Sequence, residues 1–149
     1  MIKMTLTTRI YPTESEFTVK QALRNVFDFE DSEAEISTNE EKLYQIITVE
    51  KTGVEALDEL FRGIRKEKIV EAFRQHFLSR MDSDQNLLRF KIHKQALMVP
   101  SFHVCELDEE SPLGPVEVTI ESPNILELIN YLAPPTVKGE VQELPYKIS

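Results

Sequence analysis

The ten residues Ser111–Ile120, SPLGPVEVTI, constrain the fold of this chain more than any other stretch. Proline fixes φ and glycine admits conformations closed to other residues, so a glycine between two prolines leaves the Ser111–Pro115 turn few shapes. The turn opens directly into a strand. Val116, Val118 and Ile120 alternate with Glu117, Thr119 and Glu121, the pattern of a sheet with one buried and one wet face. Ser122-Pro123 then supplies an N-cap and a first-turn proline. Ile125, Leu128, Ile129 and Leu132 recur at helical spacing until Ala133-Pro134-Pro135 stops them.

The same two periods organise the rest of the chain. Met4, Leu6, Thr8 and Ile10 alternate with Lys3, Thr5, Thr7 and Arg9, a half-buried strand that Pro12 ends. Thr13-Glu14-Ser15-Glu16 has capping-box spacing, ahead of a helical face of Val19, Ala22, Leu23 and Val26 running to about Phe27. An acidic loop leads to weak strand signals around Ile36 and a stronger strand from Leu43 to Val49. Beyond Gly53, Val54, Leu57, Phe61 and Ile64 line one helix, and Ile69, Val70, Phe73 and Phe77 a second that reaches about Met81; Gly63 is expected to mark the break. Leu88, Phe90 and Ile92 alternate with Arg89, Lys91 and His93, a strand with one basic face. Residues 95–106 are mostly apolar, and Pro100 predicts an edge or a kink. The expected architecture is α+β: one domain over residues 1–137, a mixed β-sheet with helices packed mainly on one face, and a C-terminal tail over 138–149 whose order the sequence leaves open.

At 149 residues, a chain buries roughly 68–70% of its unfolded surface, enough for a core without disulfides or metal. The single Cys105 has no internal partner, which predicts a reducing, cytoplasmic setting. No stretch approaches the roughly 18 apolar residues of a membrane span, and Met1–Thr5 lacks the apolar block of a signal peptide. A net charge of −9 argues against coating nucleic acid through the overall field. Its distribution is uneven. Residues 28–61 hold eleven acidic and two basic side chains, whereas residues 62–94 hold nine basic and four acidic.

That basic segment is the main functional candidate, because Arg and Lys neutralise phosphates and release counterions. Arg62, Arg65, Lys66 and Lys68 belong to one helical region, while Arg89, Lys91, Lys94 and Gln95 ride a strand and the turn after it. Lys94-Gln95 at that turn suits a phosphate and a sugar hydroxyl; the alternative is a tight connection in which Gln95 bonds the backbone. A competing reading also pairs Arg89 and Lys91 with Glu117 and Glu121 across neighbouring strands. No aromatic platform for reading bases stands near these residues in sequence, so recognition of shape and backbone is expected. His103 and Cys105 lie two apart on a strand, a spacing able to activate a thiolate, but a lone buried Cys is more often a small apolar packer. Glu106, Asp108, Glu109 and Glu110 lack the ligand order of a calcium loop. No two of the four glycines make a phosphate-cradling loop. No enzyme, cofactor or metal is therefore predicted.

Several segments together resemble an archaeal family, number two hundred and one of the UPF series, also called domain of unknown function fifty-four. They are Ile10-Tyr11-Pro12-Thr13-Glu14, Leu60-Phe61 with the basic helix Arg65–Arg74, Lys94-Gln95-Ala96, Ser111–Ile120 and Leu132-Ala133-Pro134-Pro135-Thr136. The chain departs from the family pattern at His93, where an Asn is usual, at Leu97, where an Ala is common, and at Tyr131, where a Trp is common. The resemblance implies the α+β fold of the RNA-binding ribosomal protein that holds the small RNA of the large subunit, and an RNA or RNA-processing complex as partner, with a suggested link to the archaeal exosome. Two functions follow as expectations. One is a non-catalytic RNA-binding or RNA-processing accessory protein, in which Lys91→Glu with Lys94→Glu weakens binding without unfolding the chain. The other is a protein-interaction or scaffold module, a homodimer through an exposed strand edge included.

Overall fold

A computed structural model of the chain describes residues 1–38, 41, 43–66, 69–99, 101–137 and 140–141. The first strand forms the middle of the sheet. β1 (Lys3–Ile10) buries Met4, Leu6, Thr8 and Ile10 on one side, as its alternation dictates. It pairs along its whole length with β3 (Gln45–Thr52) and, from Lys3 to Thr7, with β7 (Val116–Glu121). Outside β3 lies β2 (Glu35–Thr38); outside β7 lies β5 (Leu87–Ile92). The outer edge of β5 is shared by β4 (Met81–Asp82) at one end and β6 (Val104–Cys105) at the other, completing a seven-stranded sheet. Every pairing among the described residues is antiparallel, where a mixed sheet was expected. Alternation tells which face of a strand is buried and carries no information about its direction.

Among the described residues five α-helices cover the apolar face: α1 (Glu16–Arg24), α2 (Asp58–Lys66), α3 (Val70–Arg80), α4 (Lys94–Met98) and α5 (Ile125–Leu132). Val118 and Phe90 sit at the centre of the buried face, and Phe77 of α3 packs on Phe90 with ring centroids 4.8 Å apart. Each such side chain, fully withdrawn from water, contributes about 1.5–3 kcal/mol. The α+β class and the one-sided helix layer match the sequence reading. A short antiparallel pair, β8 (Thr136–Val137) with β9 (Glu140–Val141), extends into the expected tail, whose residues 138–139 and 142–149 lie outside the described residues, as does Pro100.

Local boundaries moved for identifiable reasons. Gly63 does not break a helix: α2 runs through it, and a methyl group there would overlap the Phe102 ring, so the glycine serves a close approach. The N-cap of α1 is Ser15, whose hydroxyl accepts from the Thr18 amide, rather than Thr13 of the expected capping box. Helix α5 is capped by Asn124, whose Oδ1 accepts from the Glu127 amide at 3.2 Å, and Ser122 instead closes the turn before it. Residues 94–98, expected as a turn entering an apolar run, form α4, with His93 Nδ1 accepting the Ala96 amide as N-cap.

Candidate nucleic-acid interface

Among the described residues no helix covers the other face of the sheet. Register sets its polar rows: Glu50, Thr5, Thr119 and Arg89 lie side by side, and so do Glu35, Thr48, Thr7, Glu117 and Lys91. Lys3 stands between Glu50 and Glu121, 3.5 and 3.6 Å from their carboxylates. Acid thus predominates toward β2 and β3, and base toward β5.

The eight residues singled out in the sequence do not form one patch. Arg62 is exposed on α2 and paired with Glu59. Arg65 donates to the carbonyls of Leu132 and Tyr131, and Arg74 to the Ala133 carbonyl and Asn130 Oδ1, so both satisfy the otherwise unpaired C-terminal groups of α5. Lys66 ends α2, and Lys68 lies outside the described residues. Lys91 is opposite Glu117 in register, as the cross-strand alternative expected, yet its ammonium bonds Asp108 at 2.5 Å. Gln95 lies behind the interface, its Oε1 3.2 Å from the Ser111 hydroxyl. Arg89 is exposed on the open face, opposite Thr119 rather than an acid, and among the described residues it has no partner.

Lys94 is the clearest correction. It is fully buried, so no phosphate reaches it. Its ammonium donates to the Arg9 carbonyl at 2.8 Å, the Leu113 carbonyl at 2.5 Å and the Glu14 carboxylate at 3.0 and 3.2 Å. Burial pulls its pKa below the ordinary lysine value, with Glu14 opposing. The Ser111–Pro115 turn supplies the Leu113 carbonyl, and its shape comes from Gly114, at φ +80°, and from the Ser111 hydroxyl donating to the Gly114 carbonyl at 2.9 Å. Three segments distant in sequence (Tyr11–Glu14, His93–Gln95 and Ser111–Pro115) therefore meet around one ammonium. Lys94→Glu would set two carboxylates face to face in the interior, so the double charge reversal expected to spare the fold would not do so.

Two hollows open on the polar face. One, about 170 Å³, is lined by Arg80, Arg89, Lys91, Glu117 and Thr119. The acidic loop after β6 reaches its rim: Glu106 bonds Arg80 at 2.7 Å and His76 Nδ1 at 2.9 Å, and these bonds hold its carboxyl below the usual range, as Lys91 does for Asp108. The other hollow, about 430 Å³, lies over the end of β1, between Tyr11, Tyr44 and the Ser111–Pro115 turn. Here the Arg9 guanidinium lies 4.6 Å over the Tyr44 ring and donates to the Tyr11 hydroxyl at 3.1 Å, while the two rings are 5.4 Å apart. Sequence reading missed this aromatic-basic cluster because Tyr44 reaches Tyr11 only through the β1–β3 pairing. His103 and Cys105 form no reactive pair: His103 stands edge-on to His93, and burial raises the Cys105 thiol pKa.

A family model described as RNA binding matches residues 3–122. The UPF0201 proteins of Sulfurisphaera tokodaii and Metallosphaera sedula are 34% and 32% identical over 139 residues, in each case 93% of this chain and 92% of the relative. The crystal structure of a UPF0201 protein from Methanococcus jannaschii matches with a TM-score of 0.76 at 20% identity, covering 94% of this chain and 98% of that one. A DUF54 protein from Methanothermobacter thermautotrophicus matches at 0.64 and 19%, over 88% and 96%. At such identities the structural likeness establishes the fold alone. Sequence kinship carries the rest: the chain belongs to the archaeal UPF0201 family, also called DUF54, a family described as RNA binding.

Proposed function

We propose that the protein is a non-catalytic, cytoplasmic RNA-binding accessory protein that grips the phosphate backbone with the open face of its sheet. The observation that carries this reading is Arg89, exposed on that face in a cleft with Arg80 and Lys91 and without a partner among the described residues. Arg80 and Lys91 are engaged with Glu106 and Asp108. Exposed ion pairs of this kind contribute only about 0–1 kcal/mol, so a phosphate competes for both cations. Threonine hydroxyls in the neighbouring rows (Thr5, Thr7 and Thr119) offer contacts to sugar oxygens. Of the residues chosen from sequence, Arg89 and Lys91 belong to this surface. Arg62 and Lys66 stand on α2 in the helix layer, away from it.

Titrating isotope-labelled protein with an oligouridylate tests the assignment. Amide shifts confined to β1, β5 and β7 support it, and shifts confined to α2 and α3 refute it. A protein-interaction module is the second reading, favoured by the pairing of Arg62, Arg80 and Lys91 with acids of the same chain. Absence of any shift with RNA selects it.

A further inference from the structure

We propose that the 430 Å³ hollow at Arg9, Tyr11 and Tyr44 is a pocket for one unpaired base with a donor edge, guanine by preference, so that the RNA is read as a single strand. The inference rests on the proposed RNA-binding role of the open face and adds to it a ligand and a specificity.

Size comes first. Small-molecule sites run from about 300 to 1,000 Å³, so this hollow holds a nucleotide and not a duplex. Stacking comes next. The Arg9 guanidinium lies over the Tyr44 ring, 4.6 Å from its centroid, and is held there by its bond to the Tyr11 hydroxyl, so a guanidinium and two tyrosine rings line one hollow. Guanidinium planes and tyrosine rings are the surfaces on which proteins stack splayed-out bases. Hydrogen bonding then selects among bases. Two of the hydroxyls in the wall are spent: Thr8 donates to the Pro115 carbonyl at 3.0 Å and Ser111 is bonded within its turn. Glu109 and Glu117 line the hollow with carboxylates that have no partner among the described residues. Ionised carboxylates only accept. Guanine alone offers two adjacent donors, its ring N–H and its exocyclic amine, to one carboxylate. Acid in the wall also turns a phosphate away from the hollow, toward the cationic cleft. That cleft is next door: Glu117 lines both hollows, and the Lys91–Asp108 pair stands where they meet. A strand with its base in one hollow thus has its backbone beside Arg89.

The test measures binding of a seven-residue oligouridylate and of the same oligomer with its central residue replaced by G, A or C. The G oligomer is expected to bind about tenfold tighter than the all-U one. Glu109→Gln or Glu117→Gln should reduce that preference with all-U binding little changed, and Arg9→Lys, which keeps the charge and loses the plane, should weaken the G oligomer most. Arg89→Glu should weaken all four oligomers alike. Equal affinity for all four, still lost in Arg89→Glu, overturns the base pocket and leaves the backbone reading standing. Absence of binding by any oligomer overturns both. Melting curves of each variant confirm that the fold is intact, and Tyr44→Phe, which keeps the ring, is expected to retain the preference.

Discussion

Replacing Lys94 by methionine removes one ammonium and leaves the shape of the side chain nearly intact. The loss follows from what the ammonium touches. The carbonyls of Arg9 and Leu113 lose a buried donor, and the Glu14 carboxylate, itself only 5% exposed, loses its counter-charge. Removing one partner of a buried ion pair costs about 3–5 kcal/mol, because the survivor is left uncompensated. At about 3 °C per kcal/mol for a chain of this length, Lys94→Met should lower the melting temperature by roughly 12 °C. Adding Glu14→Gln removes the orphaned charge while keeping an acceptor for the Tyr11 amide, so the double variant should melt above the single one. Thermal unfolding followed by circular dichroism reads both. A single variant within about 2 °C of the parent, the range of a neutral surface change, would refute the argument that this ammonium ties the three segments together.

Val118→Asp should cost at least about 4 kcal/mol in denaturant unfolding, since it puts an unpaired carboxylate at the centre of the buried sheet face. Gly63→Ala, which stabilises an ordinary helix by up to about 1 kcal/mol, should here destabilise by about 1–3 kcal/mol because the methyl group meets Phe102. Acid should weaken the fold: Glu106 and Asp108 are held below their ordinary carboxylate values, so their contribution is present above about pH 4 and is lost as the pH falls through the depressed values. Melting temperature measured from pH 6 to pH 3 should therefore decline, and less steeply in Lys91→Met.

Strand alternation made the buried face legible residue by residue, from Met4 and Leu6 to Phe90 and Val118, because period two is set by the pleat itself. The rigid Ser111–Pro115 turn was legible for the same kind of local reason. What sequence left hidden is long-range. Arg65 and Arg74 read as members of a basic segment, yet their partners are the carbonyls at the end of α5, 59 to 67 residues away. Lys94 read as a surface cation because lysine is almost never fully buried, and the exception depends on Glu14, eighty residues earlier. Helix α4 spans five residues, too few for a helical period to show. The Arg9–Tyr11–Tyr44 cluster needs the β1–β3 register before its members become neighbours.

Whether the open sheet face grips RNA through Arg89 is decided by the affinity of the parent and of Arg89→Glu for a single-stranded RNA, measured across a salt series. The parent should bind with an affinity that falls steeply as salt rises, and Arg89→Glu should bind more weakly with a slope shallower by about one, at unchanged melting temperature. Equal affinities and slopes for the two proteins would contradict a grip through Arg89.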